Sequence, residues 1–155
     1  MMKKYKYLII SILISLGVGG LSALITGGDI DTYKYLSKPP LSPPSVLFPI
    51  VWTILFILMG ISAYMVYVSK DIDKDSALTV YVIQLIVNFF WSIIFFSLKL
   101  RLFAFIWIIL LLVLIIIMIV KFYRISNKAG LLQIPYLIWT CFATYLTIAI
   151  YILNR

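Results

Sequence analysis

The sequence predicts an all-α integral membrane protein, one domain over residues 1–155 folded as a five-transmembrane-helix bundle. Three observations predict it. The chain is 65% hydrophobic and only 12% charged, whereas soluble chains run nearer half apolar and a quarter charged. Its charges are segregated, leaving uncharged windows at 7–28, 39–69, 76–98, 102–120 and 129–154, of 22, 31, 23, 19 and 26 residues. A helix needs about 20 mostly apolar residues to cross a bilayer, so each window carries one span. A transmembrane β-barrel would instead alternate apolar and polar residues in segments of about ten, and residues 108–120 do not alternate.

The first helix is expected at about 5–26. Ser11, Ser15, Gly19 and Ala23 recur every four residues, a strip of small side chains that lets helix backbones approach closely in lipid. The strip packs within the bundle on one reading and forms a homodimer seam on the other. Lys3, Lys4 and Lys6 ahead of this run would also suit a signal peptide, but the run is long and no small-x-small cleavage site ends it. Loop 1, residues 27–43, is the longest connection and ends in SKPPLSPP. Pro43 and Pro44 suit the first turn of a second helix at 44–68, with Ser42 as its N-cap and Pro49 tightening or kinking its start.

Loop 2 reads KDIDKD. Its aspartates have the opening spacing of a calcium loop, but Ser76 replaces the required glycine and Val82 the bidentate glutamate, so it is a solvated turn. The third helix is expected at 76–97, and LKLR turns tightly into a fourth at 102–123. RISNKAG leads into a fifth at 131–152, with Pro135 in its second turn. No internal repeat supports an inverted-repeat transporter.

Net charge is +8, but the thirteen Lys and Arg lie at membrane ends, where they set topology and do not bind nucleic acid. Lys3, Lys4, Lys6, Lys70, Lys74, Lys121, Arg124 and Lys128 share one side; Lys34, Lys38, Lys99, Arg101 and Arg155 share the other. Eight against five places the N-terminus in the cytoplasm of a bacterial cell. The single cysteine, Cys141, lies within a span, and histidine is absent. No metal site, disulfide framework or cofactor is therefore expected. Glutamate is also absent and every aspartate lies in a loop. No titratable pair is available for catalysis, and no intramembrane charge for ion-coupled transport.

The uncharged polar residues are patterned. Tyr81, Gln84, Asn88, Trp91 and Ser92 share one face of the third helix. Tyr136, Trp139, Thr140, Ala143, Thr144, Thr147 and Tyr151 share one face of the fifth. The fourth helix has nothing polar at 102–120 except Trp107, which reads as mainly lipid-facing with an interfacial anchor. An amide at mid-membrane must find a partner, so Asn88 faces inward for an interhelical bond, a ligand, or both. At 1.5 Å per residue, Trp52 lies roughly 12 Å below the loop 1 surface, and Asn88 and Ala143 roughly 14–15 Å. Trp91 and Thr147 sit higher, and Trp139 deeper, as a floor. Such an aromatic pocket with few polar groups suits a large, flat, mostly apolar ligand. The proline segment is its lid: helix launching needs only Pro43 and Pro44, which leaves Pro39 and Pro40 to strap the mouth.

Four stretches carry a family resemblance: YxxLxKPxLxPP at 33–44, the VW pair Val51 and Trp52, QLxxNxxWSxxFF at 84–96, and PYLxWxxFAxYL at 135–146 with the terminal Leu153 and Asn154. Together they resemble the TspO/MBR family, the tryptophan-rich sensory proteins whose eukaryotic members are the translocator or peripheral benzodiazepine receptor proteins. The resemblance implies a five-helix bundle, often dimeric, with a pocket for porphyrins such as protoporphyrin IX and for benzodiazepine-type drugs, and in eukaryotes cholesterol. Carried over by position, Tyr33, Trp52, Phe56, Asn88, Trp91, Trp139 and Ala143 would line it, with loop 1 as lid. Tryptophans at the positions of Trp52 and Trp139 are implicated in light-dependent porphyrin breakdown in some bacterial members. Leu41 stands where the family usually has tryptophan, and Thr147 where asparagine is common. Leu146, Tyr151 and Arg155 formally match a cholesterol-recognition pattern, which is weak.

Three functions compete. The first is a porphyrin-binding sensor or receptor regulating tetrapyrrole or stress responses. The second is a porphyrin or lipid transporter. The third is a light-dependent porphyrin-degrading enzyme, whose chemistry would have to come from pigment, oxygen and indoles.

Overall fold

The computed structural model describes residues 2–27 and 35–155. Among them the chain forms helices and connecting turns only. The elements are α1 (Met2–Thr26), α2 (Leu47–Tyr67), α3 (Lys74–Ser92) continued by a π-helical turn (Ile93–Ser97), α4 (Arg101–Ile125), α5 (Asn127–Leu132) and α6 (Ile134–Asn154). Five segments are long and apolar enough to span a membrane, and α5 with α6 makes the fifth, Asn127–Asn154. The protein is a multi-pass, five-span helical bundle, as the composition predicts. Around the bundle the order is α1, α2, α5/α6, α4, α3, and α3 closes back on α1.

The small-residue strip of α1 is used inside the bundle. Ser11 Oγ donates to the Gly60 carbonyl at 2.7 Å, and Ser15 Oγ to the Phe56 carbonyl at 2.6 Å. A methyl group at Gly60 would lie 2.5 Å from the Ile12 Cα, and one at Gly19 would meet the Phe56 ring at 2.4 Å. α1 and α2 therefore touch backbone to backbone, which only small residues permit.

The second helix starts three residues later than expected. Ser42 is not its cap, because its hydroxyl donates to the Pro39 carbonyl. Pro43 and Pro44 each push the preceding residue out of helical geometry, so the segment stays extended. Pro49 falls in the first turn of α2, where no N–H partner is needed, and does not kink it. The third helix starts earlier than expected, at Lys74, after an Asx turn in which Asp73 N–H donates to Asp71 Oδ1 at 2.8 Å.

The fourth and fifth spans differ from expectation in part. α4 is mainly outward-facing, as expected, with 28% of its span buried, but Ala104, Ile108, Leu111, Ile115, Met118 and Phe122 form one buried seam at spacings of four and three. Trp107 is no interfacial anchor, since its Nε1 donates to the Val87 carbonyl at 2.7 Å and ties α4 to α3. The last span is broken at Gln133, and its helix begins at Asn127, capped by Ser126 Oγ accepting from Ala129 N–H. Pro135 therefore stands in the first turn of α6, where its missing N–H is harmless.

That break positions the cavity. α5 packs against α2, with Ser62 Oγ donating to the Ala129 carbonyl at 2.7 Å. Beyond the break, α6 approaches α2 mainly through aromatic side chains. The space between α2 and α6 is thus bridged by rings and not closed by backbone contact.

Candidate functional site

A cavity opens toward the loop 1 side between α1, α2, α3 and α6. Gly19, Ser22, Ala23 and Thr26 of α1 form one wall, and Phe48, Pro49, Trp52 and Phe56 of α2 the next. Asn88, Trp91, Ser92 and Phe96 come from α3 and its π turn, and Trp139 and Ala143 from α6. Each helix turns these residues inward for a local reason. On α3, Ala77, Tyr81, Gln84, Asn88 and Trp91 are all buried along one face. The π turn then buries three consecutive residues, Ile94, Phe95 and Phe96, its wider turn changing the angle between successive side chains. Trp91 stacks on Phe95 with centroids 5.4 Å apart at 13°.

The deep end is a closed polar relay. Asn88 Nδ2 donates to the Tyr136 hydroxyl at 2.7 Å, and that hydroxyl donates to Gln84 Oε1 at 2.7 Å. All three side chains are buried. The Tyr136 ring meets Trp52 edge-on at 6.1 Å. Trp139 is a side wall and not the expected floor, because its ring packs edge-on against Phe48 in the first turn of α2 at 5.9 Å. Tyr136, about one helical turn further from loop 1, occupies the deeper position.

The cavity is apolar apart from a few groups. Ser22 and Ser92 hydroxyls hydrogen-bond to each other across α1 and α3. The indole Nε1 atoms of Trp91 and Trp139 are buried and have no acceptor among the described residues. A buried N–H donor without a partner costs about 1–3 kcal/mol, so both favour a ligand that carries acceptors. The cavity measures about 100 Å³, well below the roughly 300–1,000 Å³ of a drug-sized pocket.

Loop 1 is tied to α6 above this cavity. Asn154 Nδ2 donates to the Ser37 carbonyl at 2.8 Å while Asn154 Oδ1 accepts from Ser37 N–H at 3.0 Å. Tyr145 Oη donates to the Pro40 carbonyl at 3.0 Å. These bonds are exposed, whereas those fastening the cavity walls are buried or partly buried. Leu41 is 83% exposed and sits in left-handed geometry, φ 72°, which costs a non-glycine residue about 1–2 kcal/mol.

The structure therefore brings Trp52, Phe56, Asn88, Trp91, Trp139 and Ala143 around one space. It does not bring Thr147 there; its hydroxyl donates to the Ala143 carbonyl within its own helix at 2.7 Å. Pro39 and Pro40 are also absent from the walls, and Tyr33 lies outside the described residues. The contribution of α1 was missed. Ser11, Ser15, Ser22 and Thr26, spaced four, seven and four apart, mark its inner face; the period-four strip pointed to Ala23 and passed over Ser22 and Thr26.

The TspO/MBR family model matches residues 11–153. The chain is 38% identical over 148 residues to "Tryptophan-rich protein TspO" of Archaeoglobus fulgidus, covering 95% of this chain and 96% of that one. It is 33% identical over 112 residues to "Tryptophan-rich sensory protein" of Cereibacter sphaeroides, covering 72% and 70%. It is 30% identical over 140 residues to human "Translocator protein", covering 88% and 83%.

Proposed function

The chain belongs to the TspO/MBR family, and from that premise we propose that it is a membrane receptor for a flat, mostly apolar ligand of the porphyrin class. The observation that carries this reading is the cavity walled by rings and small side chains, with the indole N–H groups of Trp91 and Trp139 buried beside Asn88 and without an acceptor among the described residues. Trp52, Phe56 and Ala143 supply the faces on which an aromatic macrocycle or a benzodiazepine-type ring stacks. The indoles donate to its carbonyl or carboxylate oxygens. Asn88, whose Nδ2 is held by Tyr136, keeps Oδ1 as an acceptor for a ligand N–H.

A porphyrin does not fit a cavity of about 100 Å³, so binding requires it to widen. Loop 1 is the part that moves, since its ties to Asn154 and Tyr145 are exposed, and exposed bonds open at little cost. Pro39 and Pro40 ride on this lid. A receptor is favoured over a shuttle because the far end is sealed by the buried Asn88–Tyr136–Gln84 relay, leaving the loop 1 side for both entry and exit.

Titration of the purified protein with protoporphyrin IX, followed by tryptophan quenching and the porphyrin absorption band, is expected to show saturable binding. Trp139→Leu removes a stacking face and an N–H donor and weakens it about tenfold. Equal affinity of parent and variant would remove the pocket assignment. Product spectra after illumination, compared with dark samples, separate binding from light-dependent degradation.

Asn154→Ala releases both bonds to Ser37 and raises the open population. In stopped-flow quenching the association rate is expected to rise about fivefold, the equivalent of one net hydrogen bond of about 1 kcal/mol. An unchanged rate would show that loop 1 does not gate the cavity.

A further inference from the structure

We propose that a groove at the start of α4 binds the phosphate of an anionic bilayer phospholipid. The groove, about 490 Å³, lies on the loop 1 side of the bundle between the turn into α4 and the end of α6, and is lined by Lys99, Arg101 and Arg155 with Phe103 and Tyr151. It is separate from the aromatic cavity and shares no residue with it.

Four features converge on an oxyanion. Three cations line one groove, while the described acidic residues, Asp71, Asp73 and Asp75, lie around the turn between α2 and α3 at the opposite end. The Arg101 guanidinium sits 5.6 Å above the Phe95 ring, and its Nε is shut from solvent with no acceptor among the described residues. This cation–π contact restrains the guanidinium, whose fork of donors suits a phosphate edge. The first turn of α4 has no side-chain cap, since Leu100 occupies the N-cap position, so the positive end of a 25-residue helix points at the same place. Lys99 has φ 56°, left-handed geometry in which glycine or asparagine is the usual residue; a lysine there places charge at a conformational cost.

The surroundings select the source of the phosphate. Leu100, Leu102 and Phe103 are exposed large apolar residues at the rim, set where a span begins. A soluble phosphate leaves them unused. A phospholipid places its headgroup among the cations and its acyl chains along these side chains, the arrangement of basic pockets at membrane edges.

The test uses the full-length protein, purified from a bilayer of equal phosphatidylglycerol and phosphatidylcholine, with retained lipid counted by native mass spectrometry. Phosphatidylglycerol is expected to be enriched. Lys99→Gln and Arg101→Gln each lower that enrichment about fivefold, the effect of one cation near a surface, and Arg101→Lys recovers part of it. The Lys70→Gln, Lys128→Gln double variant, altered at the opposite end, keeps the enrichment. Lys99→Gln leaves the Arg101–Phe95 cation–π contact intact, so it decides the matter if Arg101→Gln fails to fold. Equal retention of the two lipids, or an equal loss in the opposite-end variant, overturns the site. Displacement of the lipid by millimolar glycerol 3-phosphate overturns the bilayer as the source.

Discussion

Tyr136→Phe is expected to destabilise the bundle by about 2–3 kcal/mol, more than Asn88→Leu, although it removes a single oxygen atom. The hydroxyl sits between two amides, accepting from Asn88 and donating to Gln84. Its loss leaves Asn88 Nδ2 and Gln84 Oε1 both unpaired and buried, at about 1–3 kcal/mol for each unsatisfied group. Asn88→Leu instead removes one partner and leaves the Tyr136 donor satisfied by Gln84. It costs about 1 kcal/mol, within the range of single interhelical bonds in lipid. The order reverses for ligand affinity, because Asn88 lines the cavity and Tyr136 does not. Reversible unfolding in mixed micelles, with protoporphyrin IX titrations on the same variants, measures both orders. Equal stability of the two variants would mean that the relay holds nothing together.

Gly60→Ala is expected to cost about 2–3 kcal/mol. The added methyl would lie 2.5 Å from the Ile12 Cα and 2.9 Å from its nitrogen, and a backbone cannot yield as a side chain can. Overpacking of this kind costs about 1–3 kcal/mol, and the displaced helix also strains the Ser11 bond to the Gly60 carbonyl. Gly17→Ala and Gly20→Ala are the matched controls. Neither added methyl meets an atom within 4 Å, and alanine is the better helix former by about 1 kcal/mol. A cost at Gly17 or Gly20 equal to that at Gly60 would defeat the assignment of the close helix contact to the α1–α2 seam.

Much of the site was legible in the sequence. Asn88, Gln84, Trp91 and Tyr136 announced the inner faces of α3 and α6, because a polar group in hydrocarbon has nowhere else to go. Ser11, Ser15 and Gly19 announced a close helix contact for a related reason, since small residues in a span cost packing area unless another backbone fills the gap. Residues without such a signal were misread. Trp107 carries an indole suited equally to an interface or an interhelical bond, and only the position of the Val87 carbonyl selects between them. Trp139 was placed as a floor because depth was counted along its own helix alone, and that count does not reveal that its ring packs on Phe48 in the first turn of α2.

The sequence by itself determined the number of spans, the membrane as solvent, and the inward faces of the helices that carry polar groups. Those follow from length, charge placement and the cost of burying unpaired polar groups, all local properties. Only the tertiary structure decided which stripe of α4 is inside, since a helix apolar all round has no preferred face in lipid. It alone also showed that α5 and α6 part at Gln133, that α6 meets α2 through rings, and that the resulting space measures about 100 Å³. Those outcomes depend on where one helix meets another, which side-chain chemistry along a single chain does not specify.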